Sequence, residues 1–164
     1  MLVYYPNEIL DQTLPFFDFE NPVMDPKELE KLLLETMYTN KGIGLSANQI
    51  GISTRVFAMG QYKGDGRAIF NPIILSAENI VEDEEGCLSF PGIYVKIKRP
   101  STIRAKWQNS QGDWIEEIIT GYTCKCFLHE YDHLEGLTIK DRASSLKWAL
   151  AVKKTKKRKF NVRT

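Results

Sequence analysis

Histidine is almost missing from this chain: 164 residues carry two, His129 and His133. Chemistry that needs more than two imidazoles is therefore excluded. Long apolar runs are missing too. No stretch reaches the roughly 18 residues that a membrane-spanning helix requires. The N-terminal MLVYYPNEIL lacks the basic region and continuous apolar core of a secretion signal. Cysteine is scarce and odd in number, with three in all. In a chain without an export signal this favours a reducing compartment, where cysteine serves metal binding or catalysis more often than a disulfide. The cytoplasm is the expected location, with no membrane contact. Acid is absent after Asp141, whereas residues 147–164 hold eight of the 22 basic residues. That leaves 14 bases against 21 acids in the rest, a body of about −7 beside a tail of +8.

What is present is ordinary for a globular protein, 43% apolar and 26% charged, without repeats or a linker. One domain over 1–152, followed by a basic tail over 153–164, is the expected organisation. Leu10, Leu14, Phe16, Phe17 and Phe19 anchor an extended N-terminal segment. Asp25-Pro26-Lys27-Glu28 starts a helix: Asp25 caps, Pro26 suits the first position, and Glu28 can reach back as in a capping box. The helix runs to about Tyr38, with Leu29, Leu32, Leu33, Thr36 and Met37 at core-facing spacing. Short strand-like runs follow at Thr54–Met59, Ala68–Leu75, Ile80–Glu84, Tyr94–Ile97, Thr102–Gln108 and Trp114–Ile119. Thr120 or Gly121 opens a further helix and Gly136 closes it. A last, short helix near Ser144–Val152 leads into the tail. The fold class is α+β: mostly antiparallel short strands around a central helix, with an N-terminal and a short C-terminal helix.

The two histidines lie in His129-Glu130-Tyr131-Asp132-His133, inside that central helix. Side chains four apart share a face, about 6 Å along the axis, so both imidazoles can aim at one metal ion. Glu130 stands one step round the cylinder, placed to take a proton from water at that ion. The usual helix-based zinc peptidases draw their third ligand from downstream. Here Gly136 fits the extended H-E-x-x-H-x-x-G-x-x-H pattern, but its last position is Ile139, and no acid follows Asp141. Among the cysteines, Cys124 faces away from the histidines. Cys126 shares their stripe but lies about 10.5 Å from His133 along the axis, and packs beside the site. Cys87, in Glu85-Gly86-Cys87-Leu88-Ser89, comes from another element. Alone it would read as a buried structural cysteine; the need for a third ligand selects it. A Cys-His-His set leaves a position for water, the catalytic arrangement, and suits both Zn²⁺ and Fe²⁺.

A reacting carbonyl also needs a donor for its developing negative charge. Gly42-Ile43-Gly44-Leu45-Ser46-Ala47-Asn48-Gln49 is rich in small residues and ends in an amide side chain. Its glycines let a substrate backbone lie close, and Gln49 can donate an N–H, typically worth about 10²–10³ in rate. The alternative is a helix C-cap followed by a buried strand. The segment has no phosphate-loop lysine, which argues against nucleotide binding.

GIGLSANQ, EGCLS and HEYDH, in this order, resemble the three signature motifs of the peptide deformylases. The flanks LLLETMYTNKGIGLSANQIG, IFNPIIL and HEYDHLEGLTIKDR agree, and the resemblance covers about residues 3–142. It implies removal of the formyl group from N-formyl-methionine on new polypeptides. Cys87, His129 and His133 would hold the metal, natively Fe²⁺, with Zn²⁺, Ni²⁺ or Co²⁺ in purified protein. Glu130 would be the general base and carry its proton to the departing amine. Gln49 and the backbone N–H of Leu88 would bind the oxyanion. Ile43, Gly44 and Gly86 would pair with the substrate as an added strand. Ile43, Tyr122, Cys126 and His129 would line the methionine pocket, and Glu85 with Arg99 would form a supporting ion pair on the substrate side. Read without the resemblance, those two are ordinary surface charges in an acidic and a basic run.

Three residues depart from the family pattern. Ser46 replaces the usual alanine, Asn48 stands where proline or threonine is common, and Leu128 replaces a common glutamine. The C-terminal region reads as too short for the long amphipathic helix of many bacterial members. Lys153–Lys159 could replace it as a ribosome or RNA contact, or could be a solvated tail. A monomer is expected, in a bacterium or encoded by a phage. Two other functions compete. A metallopeptidase lacks its downstream ligand, and a non-catalytic RNA-binding protein would have no use for Glu130.

Overall fold

A computed structural model describes residues 1–161 and the side chains as far as Lys156. Two long helices sandwich one antiparallel sheet, and the sequence pattern of one inner strand explains why. Strand β2 (Val56–Met59) is buried at all four positions. Val56 and Ala58 face helix α1 (Pro26–Thr39), where they meet Leu29, Leu33 and Met37. Phe57 and Met59 face helix α2 (Gly121–Leu134), where they meet Phe127 and Leu128. Alternation is a strand's natural period, so a strand covered on both faces is apolar throughout.

Asp25 caps α1, accepting the backbone N–H groups of Lys27 and Glu28. The return bond expected from the Glu28 side chain is not among the described contacts. The buried stripe is Leu29, Leu33 and Met37, whereas Leu32 is exposed. A four-residue step drifts only slightly round the helix, so this stripe is narrower than the apolar content implied. Of the N-terminal anchors, Leu10, Leu14 and Phe17 are buried and Phe16 is exposed.

The sheet runs in chain order, β1 (Gly44–Ser46), β2, β3 (Arg67–Gly86), β4 (Tyr94–Gln108) and β5 (Trp114–Thr120), every neighbour antiparallel. The expected runs 68–75 and 80–84 are one strand, and so are 94–97 and 102–108. The polar Glu78-Asn79 and the Arg99-Pro100 step look like breaks in sequence, yet both lie within the paired ladder. Pro100 is tolerated because pairing with β5 ends at Thr102, leaving β4 an edge there. Two register shifts, between Phe70 and Ile73 and between Ile74 and Ser76, bend the long strand.

Beyond α2 the chain turns at Gly136, which must be glycine because its φ is +71° and a β-carbon there would fall 2.7 Å from the Asp11 carbonyl oxygen. Helix α3 (Ile139–Arg142), absent from the sequence reading, is capped by Thr138, whose N–H and hydroxyl both donate to Asp141. Helix α4 (Ser145–Asn161) corrects the expectation of a short helix and a detached tail. The helical backbone continues through the basic run, which has no glycine or proline and is rich in lysine, a good helix former. Trp148 and Ala151 seat it against Phe90, Val95 and Ile97. The side chains of 157–161 and all of 162–164, including Arg163, lie outside the described residues.

Candidate active site

Helix α2 both fills the core and carries polar groups into it. Its Cys124, Phe127 and Leu134 pack on the sheet, while Glu130, Asp132 and His133 are nearly inaccessible despite their polarity. Buried polar groups persist only when they are partnered or functional, and each of these has a physical account.

Cys87 follows the last residue of β3, and the strand's length delivers it to the face of α2. The ligand atoms of Cys87, His129 and His133 lie within 4.8 Å of one another. Cys87 Sγ is 3.3 Å from His133 Nε2. The two imidazole rings are 5.2 Å apart. His129 points Nδ1 at Glu85 Oε2, 3.0 Å away, which leaves Nε2 for the shared centre. Burial, then the positive charges near it, hold the His133 pKa well below its ordinary value, so the ring stays neutral as a ligand must. Glu130 Oε2 is buried without a hydrogen-bond partner among the described residues. An orphaned carboxylate oxygen beside a thiol and two imidazoles fits a divalent cation with a water at its open position.

Glu130 is unusual in a second way. Desolvation raises its pKa to about 7, against the lowering pull of His129 and Arg99. A carboxyl poised there can both accept and return a proton near neutrality. It lies so close to β1 that a side-chain carbon on Gly44 would fall 2.3 Å from Glu130 Oε1. Gly44 is thus required by close approach.

Behind His129 stands a buried charge network. Arg99 grips Glu85 through Nε (2.5 Å) and Nη2 (3.1 Å) and reaches Asp132 through Nη1 at 2.7 Å. Arg142, from α3, grips both Asp132 oxygens, through Nε to Oδ2 at 2.9 Å and through Nη2 to Oδ1. Burial works to raise the Glu85 pKa, but bonds from His129 and Arg99 outweigh it and hold the carboxyl ionised. These residues are not surface charges. Arg99 is 6% exposed and is not among the residues that line the cavity beside the ligand atoms. It orients Glu85, which orients His129.

Gln49 sits in a single 3₁₀ turn after β1. Its Oε1 accepts the Ser46 N–H, turning Nε2 toward Cys87 Sγ (3.4 Å) and Ser89 Oγ (3.0 Å). Asn48 donates to the His133 carbonyl at 2.9 Å, and its Oδ1 takes the Ser46 hydroxyl at 2.8 Å. The two departures from the family motif therefore bond each other and tie this turn to α2.

A cavity of about 370 Å³ opens on the centre. Ile43, Gly44, Gln49, Glu85, Gly86, Cys87, Leu88, Tyr122, Cys126, His129 and Glu130 line it, and His133 and Arg99 stand behind the wall. Cys126 bonds the Ile43 carbonyl through Sγ at 3.3 Å, while Cys124 points to Pro100 on the far side. Four contributors escaped the sequence reading: Ser89, Asp132, Arg142 and the wall from Phe90 to Ile93. Asp132 alone left a signal, an acid one helical turn from His129 in an otherwise core-facing segment.

A helix offering two imidazoles and a base, completed by a thiol from a strand end in an α+β fold, defines a metal-dependent hydrolase. Comparison with known proteins narrows this class. The polypeptide deformylase family profile matches residues 1–149. The peptide deformylase of Thermotoga petrophila is 46% identical over 129 residues, 78% of this chain and 77% of that protein. The Aquifex aeolicus enzyme of the same name is 33% identical over 161 residues, 95% and 94% of the two chains. A crystal structure of a peptide deformylase from Legionella pneumophila superposes with a TM-score of 0.88 at 31% identity, covering 100% of this chain and 98% of that one. The chain belongs to the peptide deformylase family. That family is metal-dependent, and among the described residues Cys87, His129 and His133 form the group that could bind the ion.

Proposed function

We propose that this enzyme removes the formyl group from N-terminal formyl-methionine of newly made polypeptides, releasing formate. The observation that carries the reading is the buried Glu130 carboxyl, set against Gly44 and beside the three clustered ligand atoms, at the floor of one cavity. Cys87, His129 and His133 hold the ion, natively Fe²⁺ with Zn²⁺, Ni²⁺ or Co²⁺ in purified protein. When bound it supplies Lewis-acid polarisation and a lowered pKa for water.

The protein's own groups do the rest. Glu130 takes the proton from the attacking water and returns it to the amine that leaves. Gln49 Nε2, already turned toward Cys87, and the backbone N–H of Leu88 receive the oxyanion. Backbone groups of Ile43 and Gly44 on one side and Gly86 on the other pair with the peptide as an added strand. The methionine side chain enters between Ile43, Tyr122, Cys126 and His129. Glu85, held by Arg99, keeps His129 in register. Its partners in this reading are nascent chains in the cytoplasm, the enzyme acts as a monomer, and the basic run Lys153–Lys159 offers a salt-dependent contact to ribosomal RNA.

The test is formate release from a formyl-Met-Ala-Ser peptide after anaerobic loading with Fe²⁺ and, separately, Zn²⁺. Turnover is expected with the formyl peptide alone, and Glu130→Gln should reduce it by about 10²–10⁴ while one metal per chain stays bound. A Glu130→Gln protein as active as the parent would remove Glu130 from the chemistry.

A further inference from the structure

The loop from Cys87 to Ile93 carries a metal ligand at one end and forms the outer wall of the cavity at the other. Two internal turn bonds shape it, Phe90 N–H to the Cys87 carbonyl (3.0 Å) and Ile93 N–H to the Phe90 carbonyl (3.1 Å). Strand pairing resumes only at Tyr94. Both ends of the chain brace the loop. Tyr5 stacks on Phe90 at 4.9 Å, and its N–H donates to the Ser89 carbonyl. From the other side Trp148 of α4 meets Phe90 edge-on at 5.6 Å.

About two turns further along α4, the Thr155 hydroxyl lies 2.8 Å from the Gly92 carbonyl. The same hydroxyl is 3.1 Å from the Ala151 carbonyl. The single hydroxyl hydrogen can serve one acceptor at a time, and the shorter contact is the one to Gly92, whereas the Ala151 carbonyl at i−4 also has the helix's own ladder. Gly92 is left-handed, with φ +78°, and a β-carbon there would meet Thr155 Cγ2 at 3.4 Å. Trp148, Ala151 and Thr155, spaced three and four apart, form one stripe facing the loop. Lys153, Lys154 and Lys156 are exposed.

We propose that α4 sets the outer wall of the substrate cavity, with Thr155 as the positioning residue that holds Gly92. The proposal rests on the reading of this cavity as the peptide site. A peptide lying along the wall binds a surface that Thr155 keeps in place, so its loss weakens substrate binding and spares the chemical step.

Full-length Thr155→Val keeps the shape of the side chain and removes the hydroxyl, whereas Thr155→Ser keeps the hydroxyl. With formyl-Met-Ala-Ser, Thr155→Val should raise KM by about 2–10-fold, the worth of one hydrogen bond, with kcat within about twofold by the same reasoning. Thr155→Ser should behave as the parent. Amide hydrogen exchange over residues 90–94 should quicken in the valine variant and not in the serine one. Unchanged KM and exchange in Thr155→Val would overturn the proposal, as would a serine variant that matches the valine one. A parent enzyme that releases no formate would sink the deformylase reading instead, and the exchange measurement alone would then decide the role of Thr155.

Discussion

Replacing Arg99 by methionine should damage this protein far more than the same change at Arg142, although both arginines bind Asp132. The Arg99 side chain is 7% exposed and pairs with Glu85 (3%) and Asp132 (5%). Its loss leaves buried Glu85 with the His129 ring as its remaining partner and Asp132 with Arg142. Breaking a buried pair by removing one partner costs about 3–5 kcal/mol. In a chain of this size each kcal/mol moves Tm by about 2–4 °C, so the expected fall is roughly 6–20 °C. Arg142 is 45% exposed, and Asp132 keeps Arg99 when it is removed. Solvent screening brings that loss to about 1 kcal/mol or less. The Arg99 variant should also hold its ion about 10–100-fold less tightly, because Glu85 no longer orients His129. Thermal unfolding of the metal-loaded proteins, with competition against a chromophoric chelator, reads both effects. An Arg99→Met protein that melts within 3 °C of the parent, or no lower than Arg142→Met, would refute the network as drawn.

Gly44→Ala should abolish most activity without unfolding the protein. Its new carbon would land 2.3 Å from Glu130 Oε1, so the carboxyl must swing away. A loss of about 10²–10⁴ in kcat is expected, the usual worth of a positioned base. Near-parental kcat would show that Glu130 works from another position. Removal of the ion by a chelator should expose one fast-reacting thiol per chain, since Cys87 is half-buried at the site while Cys124 and Cys126 are buried. A thiol count that does not change on chelation would exclude Cys87 as a ligand.

Much of the site was legible because its chemistry is local. The spacing of His129, Glu130 and His133 places three groups through helix geometry alone, and no tertiary contact is needed to see it. Cys87 was reached by elimination, because Cys124 faces away from the histidines and Cys126 lies too far from His133 along the same helix. The extent of the strands was not legible. Pro100 and the polar stretch 76–79 read as interruptions, because a ladder's hydrogen bonds belong to the partner strand and leave no mark on side-chain pattern. For the same reason α4 was expected to end near Val152, where its apolar residues stop, although propensity carries its backbone on to Asn161.

The sequence by itself determined which groups meet at the site: a thiol and two imidazoles that could hold a metal, with a carboxyl, an amide and small residues beside them. Only the tertiary structure decided what holds them. Glu85 and Arg99 look like members of two surface charge runs until β3 and β4 pair in register and bury them under α2. Phe90 and Gly92 look like a loop until both chain ends close on it. Local geometry follows from covalent periodicity and can be read along the chain. Burial and partnership arise between residues distant in sequence, so they exist only once the chain has folded.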